Sequence, residues 1–389
     1  MLRASKFLTP VLLVAVVFGA VGLWHRLAFG KAHLAFGSYI PWGLWVGLYI
    51  YLVGISGGAF LVAFLYHGLG IASLRRPSRY AVPIALTSLG AGLTLVLLDL
   101  GHMERFWYLF TRATSTSLLA WMVWVYTVYS LVLVAMLVAM AHGSQRALRW
   151  LSIAGFALVV TFGGGEGALF GVLASKPYWN SGLQPIRFLF SALLSGMGLV
   201  AFASVLFRRW PDDAENEAAG RFFRQALLGL LALNIVIEFA EFSVTYYTGF
   251  PAVIEAHRLM VFGPYWWVFW VLQLAMGLVL PTLLLASPVG GRAPWLALSG
   301  LCIAIGYAGT KQNLVLPGLA VPDFRTLPEA FVHPRLAVTY FPSATEWYLA
   351  IGVIGAAALA FVLAIEVVPF LKNPEAWGAG DGDSRRLVA

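Results

Sequence analysis

The stretch "PWGLWVGLYIYLVGISGGAFLVAFLYH", residues 41–67, decides the fold of this chain. It is long enough to cross a membrane, because a bilayer-spanning helix needs roughly 20 mostly apolar residues. It also contains a Ser-Gly-Gly step and two tyrosines of particular interest, Tyr49 and Tyr51. Small residues let membrane helices approach closely. We therefore expect a helix inside a bundle, with at most one of these two hydroxyls facing any given cavity.

The whole chain has the composition of a polytopic membrane protein. Of its 389 residues, 60% are hydrophobic and 11% are charged, whereas a soluble domain usually carries about 25% charged residues. Apolar stretches long enough to cross the membrane lie at 8–29, 40–66, 81–100, 117–141, 149–173, 186–207, 226–248, 264–286, 295–313 and 345–370. The sequence predicts an all-α integral membrane protein with ten transmembrane helices.

Basic residues predict the orientation of these helices. Arg3 and Lys6 precede the first stretch, as in a signal peptide, but no small-x-small cleavage site follows, so we interpret it as helix one. By the positive-inside rule, both termini are expected in the cytoplasm, with the chain in the cytoplasmic (inner) membrane. The clusters that carry this prediction are Arg75, Arg76, Arg79, Arg146, Arg149, Arg208, Arg209, Arg221 and Arg224. The formal charge of +8 then reflects topology and contact with anionic membrane lipid, and no nucleic-acid partner is expected.

The chain offers few ligands for a cofactor of its own. Its single cysteine, Cys302, lies inside the ninth stretch, so this chain alone cannot build a disulfide framework or a thiolate-ligated cluster. None of the seven histidines lies in the middle of a stretch, which argues against a bis-histidine haem within the bilayer. We expect no metal or haem in this chain, and any iron–sulfur chemistry to belong to a partner.

Two similar motifs indicate an internal repeat. Ser56-Gly-Gly-Ala-Phe-Leu-Val-Ala-Phe in helix two resembles Ser195-Gly-Met-Gly-Leu-Val-Ala-Phe in helix six. Close helix packing explains this likeness about as well as a duplication does. A duplication would divide the single membrane domain, residues 1–389, into two four-helix bundles. These would be helices two to five (35–175) and six to nine (180–315), with helices one and ten peripheral.

Ionisable side chains inside membrane helices are costly and usually face a bundle interior, a water cavity or a proton path. Helix seven places Asn234, Glu238, Glu241 and Thr245 on one face. Such a stripe either fixes helix register by hydrogen bonds or conducts protons beside a quinone, and two carboxylates favour conduction. At least one carboxylate is expected to be protonated or matched with an arginine.

Three other positions have a structural and a functional interpretation. Glu166 lies in "TFGGGEGALFG", where the glycines serve either close packing or a site around the carboxylate. Lys311 lies near the outer boundary of helix nine, and a snorkelling lysine is the default interpretation. Helix three ends in a cluster that is either an ion-pair cap or part of a site, with Asp99 placed to accept a hydrogen bond from Arg105 or His102. The members of this cluster are Asp99, His102, Glu104, Arg105 and Trp107.

Five segments in a fixed order resemble the membrane subunits of polysulfide reductase and related respiratory complexes, the NrfD/PsrC-like family. The chain is most similar to the ten-helix branch that includes the hydrogenase subunit HybB and the sulfur-metabolism subunit DsrP. The resemblance covers nearly the whole chain. The segments are "PWGLWVGLYIYLVGISGGAF" at 41–60, "LDLGHMERFW" at 98–107, "KPYWNSGLQPIRFLFSALLSGMG" at 176–198, "EFAEF" at 238–242 and "YFPSATEWYLAIG" at 340–352.

The resemblance implies a quinone-interacting anchor that is not catalytic alone and holds no cofactor of its own. Its substrate would be menaquinone or ubiquinone. Electrons would pass between the quinone pool and an external ferredoxin-like subunit with 4Fe-4S clusters. A further catalytic subunit, such as a molybdopterin enzyme, a hydrogenase or a cytochrome c, would complete the complex. Proton translocation would accompany the reaction if the carboxylates of helix seven form a path.

The resemblance also assigns site residues. Tyr49 occupies the place of a histidine that precedes the Gly-Gly step in polysulfide reductase, and we expect it to bind the quinone with His102, Arg105 and Trp107 at the mouth of the site. From the chemistry of a quinone, which exchanges protons together with electrons, we assign proton handling to Glu241, Glu166, Asp99 and Glu238. Of these four, Glu241 matches the family best, whereas Glu238 falls where a HybB-like chain carries arginine. A transporter with a midplane substrate site and a purely structural anchor remain alternatives.

Overall fold

A computed structural model describes residues 3–208, 214–324, 326, 330 and 333–372. Its described part contains ten helices long and apolar enough to cross a membrane, and no strand. We label them α1 (Arg3–Phe29), α2 (Leu44–His67), α3 (Ser78–Asp99), α4 (Leu118–Ala141), α5 (Gln145–Gly171), α6 (Gln184–Leu206), α7 (Ala214–Thr248), α8 (Val268–Ala286), α9 (Ala293–Ala320) and α10 (Ala344–Val367). The all-α, ten-helix prediction is confirmed, and the chain is a multi-pass integral membrane protein.

Some helix boundaries differ from the predicted ones. Helix α7 begins at Ala214, before the expected start at 226, because the charged segment that precedes the apolar run is also helical. Helix α9 continues to Ala320 instead of ending near 313, with Pro317 inside it. A short helix, Pro251–Val261, lies between α7 and α8, and we call it the interfacial helix.

The helices pack into one body around α2 and α6. Helix α2 contacts α3, α5, α6 and α9, whereas α6 contacts α2, α5, α7 and α9. Helices α8 and α9 pack together, and α1 packs on α10, which also contacts α3. A single hydrophobic core includes buried residues from every helix from α2 to α10. The division into two four-helix bundles therefore stays an interpretation, since the two sets of helices share a continuous core.

The repeated small-residue motifs meet at the centre of this core. A Cβ atom on Gly58 would overlap the carbonyl oxygen of Ala192, and one on Gly196 would overlap the backbone of Gly58 and Ala59. The two similar segments thus form the close contact between α2 and α6. Their likeness has a packing function, whether or not a duplication produced it.

The two ends of the bundle differ in their connections. Helices α2, α4, α6, α8 and α10 begin at one end, where the odd-numbered helices finish. We call it the loop-rich end, because it carries the interfacial helix and the long connections that precede α4 and α10. It is the end predicted to be external. That orientation, with cytoplasmic termini, stays a prediction.

Candidate functional site

Three side chains near the loop-rich end form a continuous hydrogen-bonded chain. The hydroxyls of Tyr49 and Tyr126 lie 3.1 Å apart. Tyr126 donates to Oε1 of Glu166 at 2.5 Å. Tyr126 is 4% exposed and Glu166 is 6% exposed, whereas Tyr49 is only half-buried. We call these residues the tyrosine–glutamate chain, and Tyr49 is its most exposed member.

The glycines around Glu166 explain how its carboxylate is placed. A Cβ on Gly167 would lie 2.5 Å from Cα of Pro185, at the start of α6, and one on Gly165 would lie 2.9 Å from Sδ of Met122 on α4. Helix α5 therefore approaches both neighbours closely only because these positions lack side chains. The packing interpretation of the glycine run is observed, and this close packing sets Glu166 against Tyr126.

Lys311 lies inside the bundle rather than at its boundary. It is 5% exposed, and its Nζ atom lies 3.5 Å from the centroid of the Phe188 ring. The snorkelling interpretation is therefore wrong. A charged lysine over an aromatic face gains a cation–π interaction, and Lys311 also attracts Glu166 electrostatically. It lies on the carboxylate side of the tyrosine–glutamate chain.

A second polar group surrounds Arg187 of α6, and we call it the arginine cluster. Arg187 forms an ion pair with Glu241, and its Nη2 atom lies 3.7 Å from Oε1 of Glu238. Gln273 donates to Oε2 of Glu238 at 3.4 Å, and Asn313 donates to Oε1 of Gln273 at 2.8 Å. The side chains of the three charged residues are each less than one-fifth exposed. The expected arginine partner of the α7 carboxylates is confirmed.

Aromatic side chains close the arginine cluster toward the loop-rich end. Tyr178 donates to the carbonyl of Asn313 at 2.9 Å, and its ring lies 5.3 Å from that of His257, centroid to centroid. His257 belongs to the interfacial helix and is 2% exposed. Burial lowers the pKa of His257, and this effect is only partly offset by its hydrogen bond to the carbonyl of Val253 and by the charge of Glu241.

Small cavities connect the arginine cluster with its surroundings. Two of them, of about 20 and 10 Å³, are lined by both Arg187 and Glu238. A polar cavity of this size holds about one water molecule. A larger cleft of about 310 Å³ between α7 and α8 also reaches Glu238, and Phe239 at its rim is 72% exposed. This cleft therefore reaches Glu238 from the lateral surface of the bundle.

Asp99 lies elsewhere, at the end of α3. It is 9% exposed, and the cations that act on it are Lys31 and Arg26. Arg26 donates to the carbonyls of Leu98 and Leu100 at 2.9 and 2.6 Å. The expected hydrogen bond from Arg105 or His102 is wrong, because the chain turns after α3 and both basic side chains interact with Glu104 instead.

The other three predicted quinone ligands form an exposed surface cluster. His102 Nδ1 lies 2.8 Å and Arg105 Nε lies 3.8 Å from Oε1 of Glu104. Trp107 is 60% exposed. These contacts do not link the cluster to the tyrosine–glutamate chain. Its assignment to the mouth of the site stays a prediction.

The family described as polysulphide reductase, NrfD, matches residues 35–323 of this chain. The chain belongs to the NrfD family. A selenate reductase subunit of Mesobacillus selenatarsenatis is 31% identical over 95% of this chain and 96% of its own length. The integral membrane subunit of an Hdr-like menaquinol oxidoreductase from Archaeoglobus fulgidus is 24% identical over 95% and 94%. The menaquinone reductase integral membrane subunit of Nitratidesulfovibrio vulgaris is 24% identical over 95% and 93%.

The sequence patterns did not predict two residues of this NrfD-family site, Tyr126 and Arg187. Tyr126 is one of several aromatic residues in "WMVWVYTVYS", residues 121–130, so nothing in its surroundings singles it out. The sequence could have identified Arg187, because this residue lies in the quoted segment 176–198 and is a charged residue in the first turn of a predicted span.

Among the described residues, no group of three histidine, cysteine, aspartate or glutamate side chains is placed to hold a metal ion.

Proposed function

We propose that this NrfD-family chain is the quinone-reactive membrane subunit of a respiratory oxidoreductase complex. The observation that carries the proposal is the tyrosine–glutamate chain, which joins the hydroxyl of Tyr49, its most exposed member, to a buried carboxylate, Glu166. The names of its relatives support a menaquinone as the substrate, because two of them are called menaquinol oxidoreductase and menaquinone reductase subunits.

The hydrogen bonds of this chain have a direction that suits a quinol. A tyrosine hydroxyl has one hydrogen, and Tyr126 gives its hydrogen to Glu166. Tyr49 must therefore donate to Tyr126, which leaves the Tyr49 oxygen free to accept a hydrogen bond from a quinol. When Glu166 is protonated, the chain reverses, and Tyr49 can then donate to a quinone carbonyl.

Oxidation of a quinol releases two electrons and two protons. In our proposal, one proton passes from the headgroup through Tyr49 and Tyr126 to Glu166, and the second proton leaves to water at the loop-rich end. Positioned proton acceptors of this kind typically accelerate reactions by about 10²–10⁴-fold. The electrons leave to 4Fe-4S clusters in a ferredoxin-like subunit docked on the loop-rich end, and a further catalytic subunit of the complex exchanges them with its own substrate.

The arginine cluster is the proposed start of a proton path along α7. The carboxylates Glu238 and Glu241, and water molecules in the water-sized cavities, can bind protons along this path. Redox-linked proton translocation follows if this path carries protons from the quinone site across the bundle. Unchanged quinone reactivity and unchanged proton stoichiometry in Glu241→Gln would remove the support for this step.

The two alternative functions, a transporter and a structural anchor, make different predictions. A transporter needs a substrate site near the bilayer midplane, whereas the polar clusters described above lie toward the loop-rich end. Tyr49, for example, is five residues after the start of α2, about 8 Å along the helix. A purely structural anchor would keep full turnover after substitution of the buried carboxylates.

The deciding experiment is electron paramagnetic resonance on the complex purified from native membranes. Spectra are recorded before and after addition of a quinol, with and without a quinone-site inhibitor. We expect reduction of a 4Fe-4S signal that the inhibitor blocks. If the chain purifies alone, without a cluster and without a response to quinols of suitable potential, the proposal fails and transport should be assayed.

A further inference from the structure

A cavity of about 590 Å³ lies at the end of the bundle opposite the loop-rich end. We call it the basic cavity. Its walls come from the start of α3, the end of α6, the first turns of α7 and the start of α9. Binding sites for small molecules have volumes of about 300–1,000 Å³, so the basic cavity is large enough to hold one.

Four arginines from different parts of the chain line the basic cavity. Arg76 lies two residues before α3, Arg208 lies two residues after α6, and Arg292 immediately precedes α9. Arg221 lies near the start of α7. Two of the four are exposed and two are half-buried, so all of them have accessible surface. A guanidinium group is always charged and has five N–H donors in a geometry that matches a phosphate.

Few acidic side chains balance these arginines. Glu217 is the one acidic residue among the described residues that line the cavity, and it lies 3.5 Å from Arg221. Glu215 lies 2.9 Å from Nε of Arg76. Across the three segments that meet at the cavity, the sequence contains eight arginines and four acidic residues. These segments are 68–80, 201–224 and 287–296. The surroundings of the cavity therefore attract an anion.

Between the arginines, the cavity also has apolar walls. Val205 and Ala293 are half-buried and Pro294 is exposed, so these side chains present accessible apolar surface. Behind them, the buried side chains of Phe223 and Leu296 close the cavity. Inorganic phosphate would leave this apolar surface in contact with water, whereas a phosphate attached to a lipid would cover it. The matching ligand carries a phosphate group and an apolar portion.

We propose that the basic cavity binds the phosphate group of an anionic membrane phospholipid. Its arginines lie at the ends of membrane helices, at the level of the lipid headgroups, on the side predicted to be cytoplasmic. Basic pockets between transmembrane helices on this side bind anionic headgroups. The arginines hold the phosphate by charge-assisted hydrogen bonds, and the apolar walls contact the glycerol and the upper part of the acyl chains. The bound lipid joins α3, α6, α7 and α9 at this end. This proposal does not depend on quinone reactivity.

Native mass spectrometry of the complex purified from native membranes tests this proposal. The complex is depleted of lipid by detergent exchange and titrated with phosphatidylglycerol, with zwitterionic phosphatidylcholine or with inorganic phosphate. We expect phosphatidylglycerol to bind at least about tenfold more tightly than phosphatidylcholine, as for one additional charge-assisted hydrogen bond. Inorganic phosphate should not displace it.

Three variants sharpen the test. The double variant Arg208→Gln, Arg292→Gln removes two of the cations and should weaken phosphatidylglycerol binding by about tenfold or more. Ser204 lines the cavity and is half-buried, so Ser204→Phe fills part of the space without changing the charge and should also weaken binding. The matched control is Arg146→Gln, Arg149→Gln, which removes two exposed cations from the same end that do not line the cavity. It should bind the lipid like the wild type.

Several results would overturn the lipid site. One is equal loss of binding in the control pair, because the lipid would then respond only to the overall charge of this end. Another is binding that does not distinguish phosphatidylglycerol from phosphatidylcholine, or that survives both the arginine variant and Ser204→Phe. Inorganic phosphate that binds the wild type, excludes the lipid and fails to bind the arginine variant would assign the cavity to a soluble phosphate compound instead.

The outcomes also separate this site from the proposed function. Absence of a quinol response in the resonance experiment would leave the lipid site standing. Failure of the lipid titration would leave the quinone proposal standing, because the tyrosine–glutamate chain does not include any residue that lines the basic cavity.

Discussion

The hydroxyl of Tyr126 donates to the carboxylate of Glu166 at 2.5 Å, and the two residues come from neighbouring helices, α4 and α5. Both are buried, so bulk water does not compete for this hydrogen bond. A short bond to a charged group in a low-dielectric interior is stronger than one between neutral partners. The pair is therefore a fixed element of the bundle, and Tyr49 extends it toward the less buried side.

Tyr126→Phe should interrupt proton transfer while it preserves the packing of α4 against α5. The change removes one oxygen and leaves the ring contact with Phe162 in place. It leaves the carboxylate of Glu166 without its donor and Tyr49 without its acceptor. We expect inhibitor-sensitive quinol oxidation by the complex to fall by about tenfold to a hundredfold, measured as the rate of cluster reduction.

Tyr129→Phe is the matched control for this prediction. Tyr129 lies one turn further along α4, is fully buried, and donates to the backbone carbonyl of Ser56 rather than to a carboxylate. Its substitution should lower stability slightly and leave quinol oxidation near the wild-type rate. Equal loss of activity in both variants would show that the hydroxyls act only through packing.

Arg187→Met should destabilise the protein, because it leaves two buried carboxylates without their cation. Removal of one partner of a buried ion pair typically costs about 3–5 kcal/mol. The triple variant Arg187→Met, Glu238→Gln, Glu241→Gln removes the uncompensated charges and should regain most of that loss. Thermal denaturation of the purified complex measures both effects. A triple variant no more stable than Arg187→Met would show that the arginine matters through other contacts.

The hydropathy pattern predicts the ten helices well, because membrane spans are defined by length and composition alone. Their tertiary contacts are harder to predict. The polar stripe on α7 identifies Glu238 and Glu241 as interior residues and predicts a cationic partner for them. It does not predict that this partner is Arg187. That information lies in how α6 packs on α7, which no pattern within one helix contains.

Lys311 also shows that the sequence of one helix does not predict the surroundings of a charged side chain. Its place near the predicted end of a span is typical of a snorkelling lysine. In the structure α9 continues to Ala320, so the boundary moves and the lysine becomes an interior residue above Phe188. An error of a few residues in a helix boundary thus reverses the interpretation of a charged side chain. Exposed loop residues such as His102 carry no comparable constraint, and their role cannot be read from spacing.

Gly58→Ala should weaken the contact between α2 and α6. The new Cβ would overlap the carbonyl oxygen of Ala192, which is backbone and cannot rotate away. Forcing extra atoms into a packed core typically costs about 1–3 kcal/mol. Gly90→Ala is the control, because a Cβ at Gly90 meets no atom of the described residues within 4 Å. We expect a lower melting temperature for Gly58→Ala only, and equal melting of the two variants would contradict the contact.

His257 should make the stability of the protein sensitive to mild acid. Burial lowers its pKa in the folded state from the usual value of 6.5, so below that value the unfolded chain binds more protons than the folded one. Stability therefore falls as the pH drops from about 6.5 toward the lower folded-state pKa. His257→Gln keeps a donor for the carbonyl of Val253 and removes the titration. We expect the variant to lose less melting temperature than the wild type between about pH 7.5 and about pH 5.5.

The control for this pH effect is His142→Gln. His142 makes the same kind of hydrogen bond, from Nδ1 to the carbonyl of Val138 four residues earlier, but it is exposed at the opposite end of the bundle. We expect its substitution to leave the pH dependence of melting unchanged. If His257→Gln also leaves that dependence unchanged, the acid sensitivity comes from other groups, and the interfacial helix does not depend on a neutral histidine for its docking.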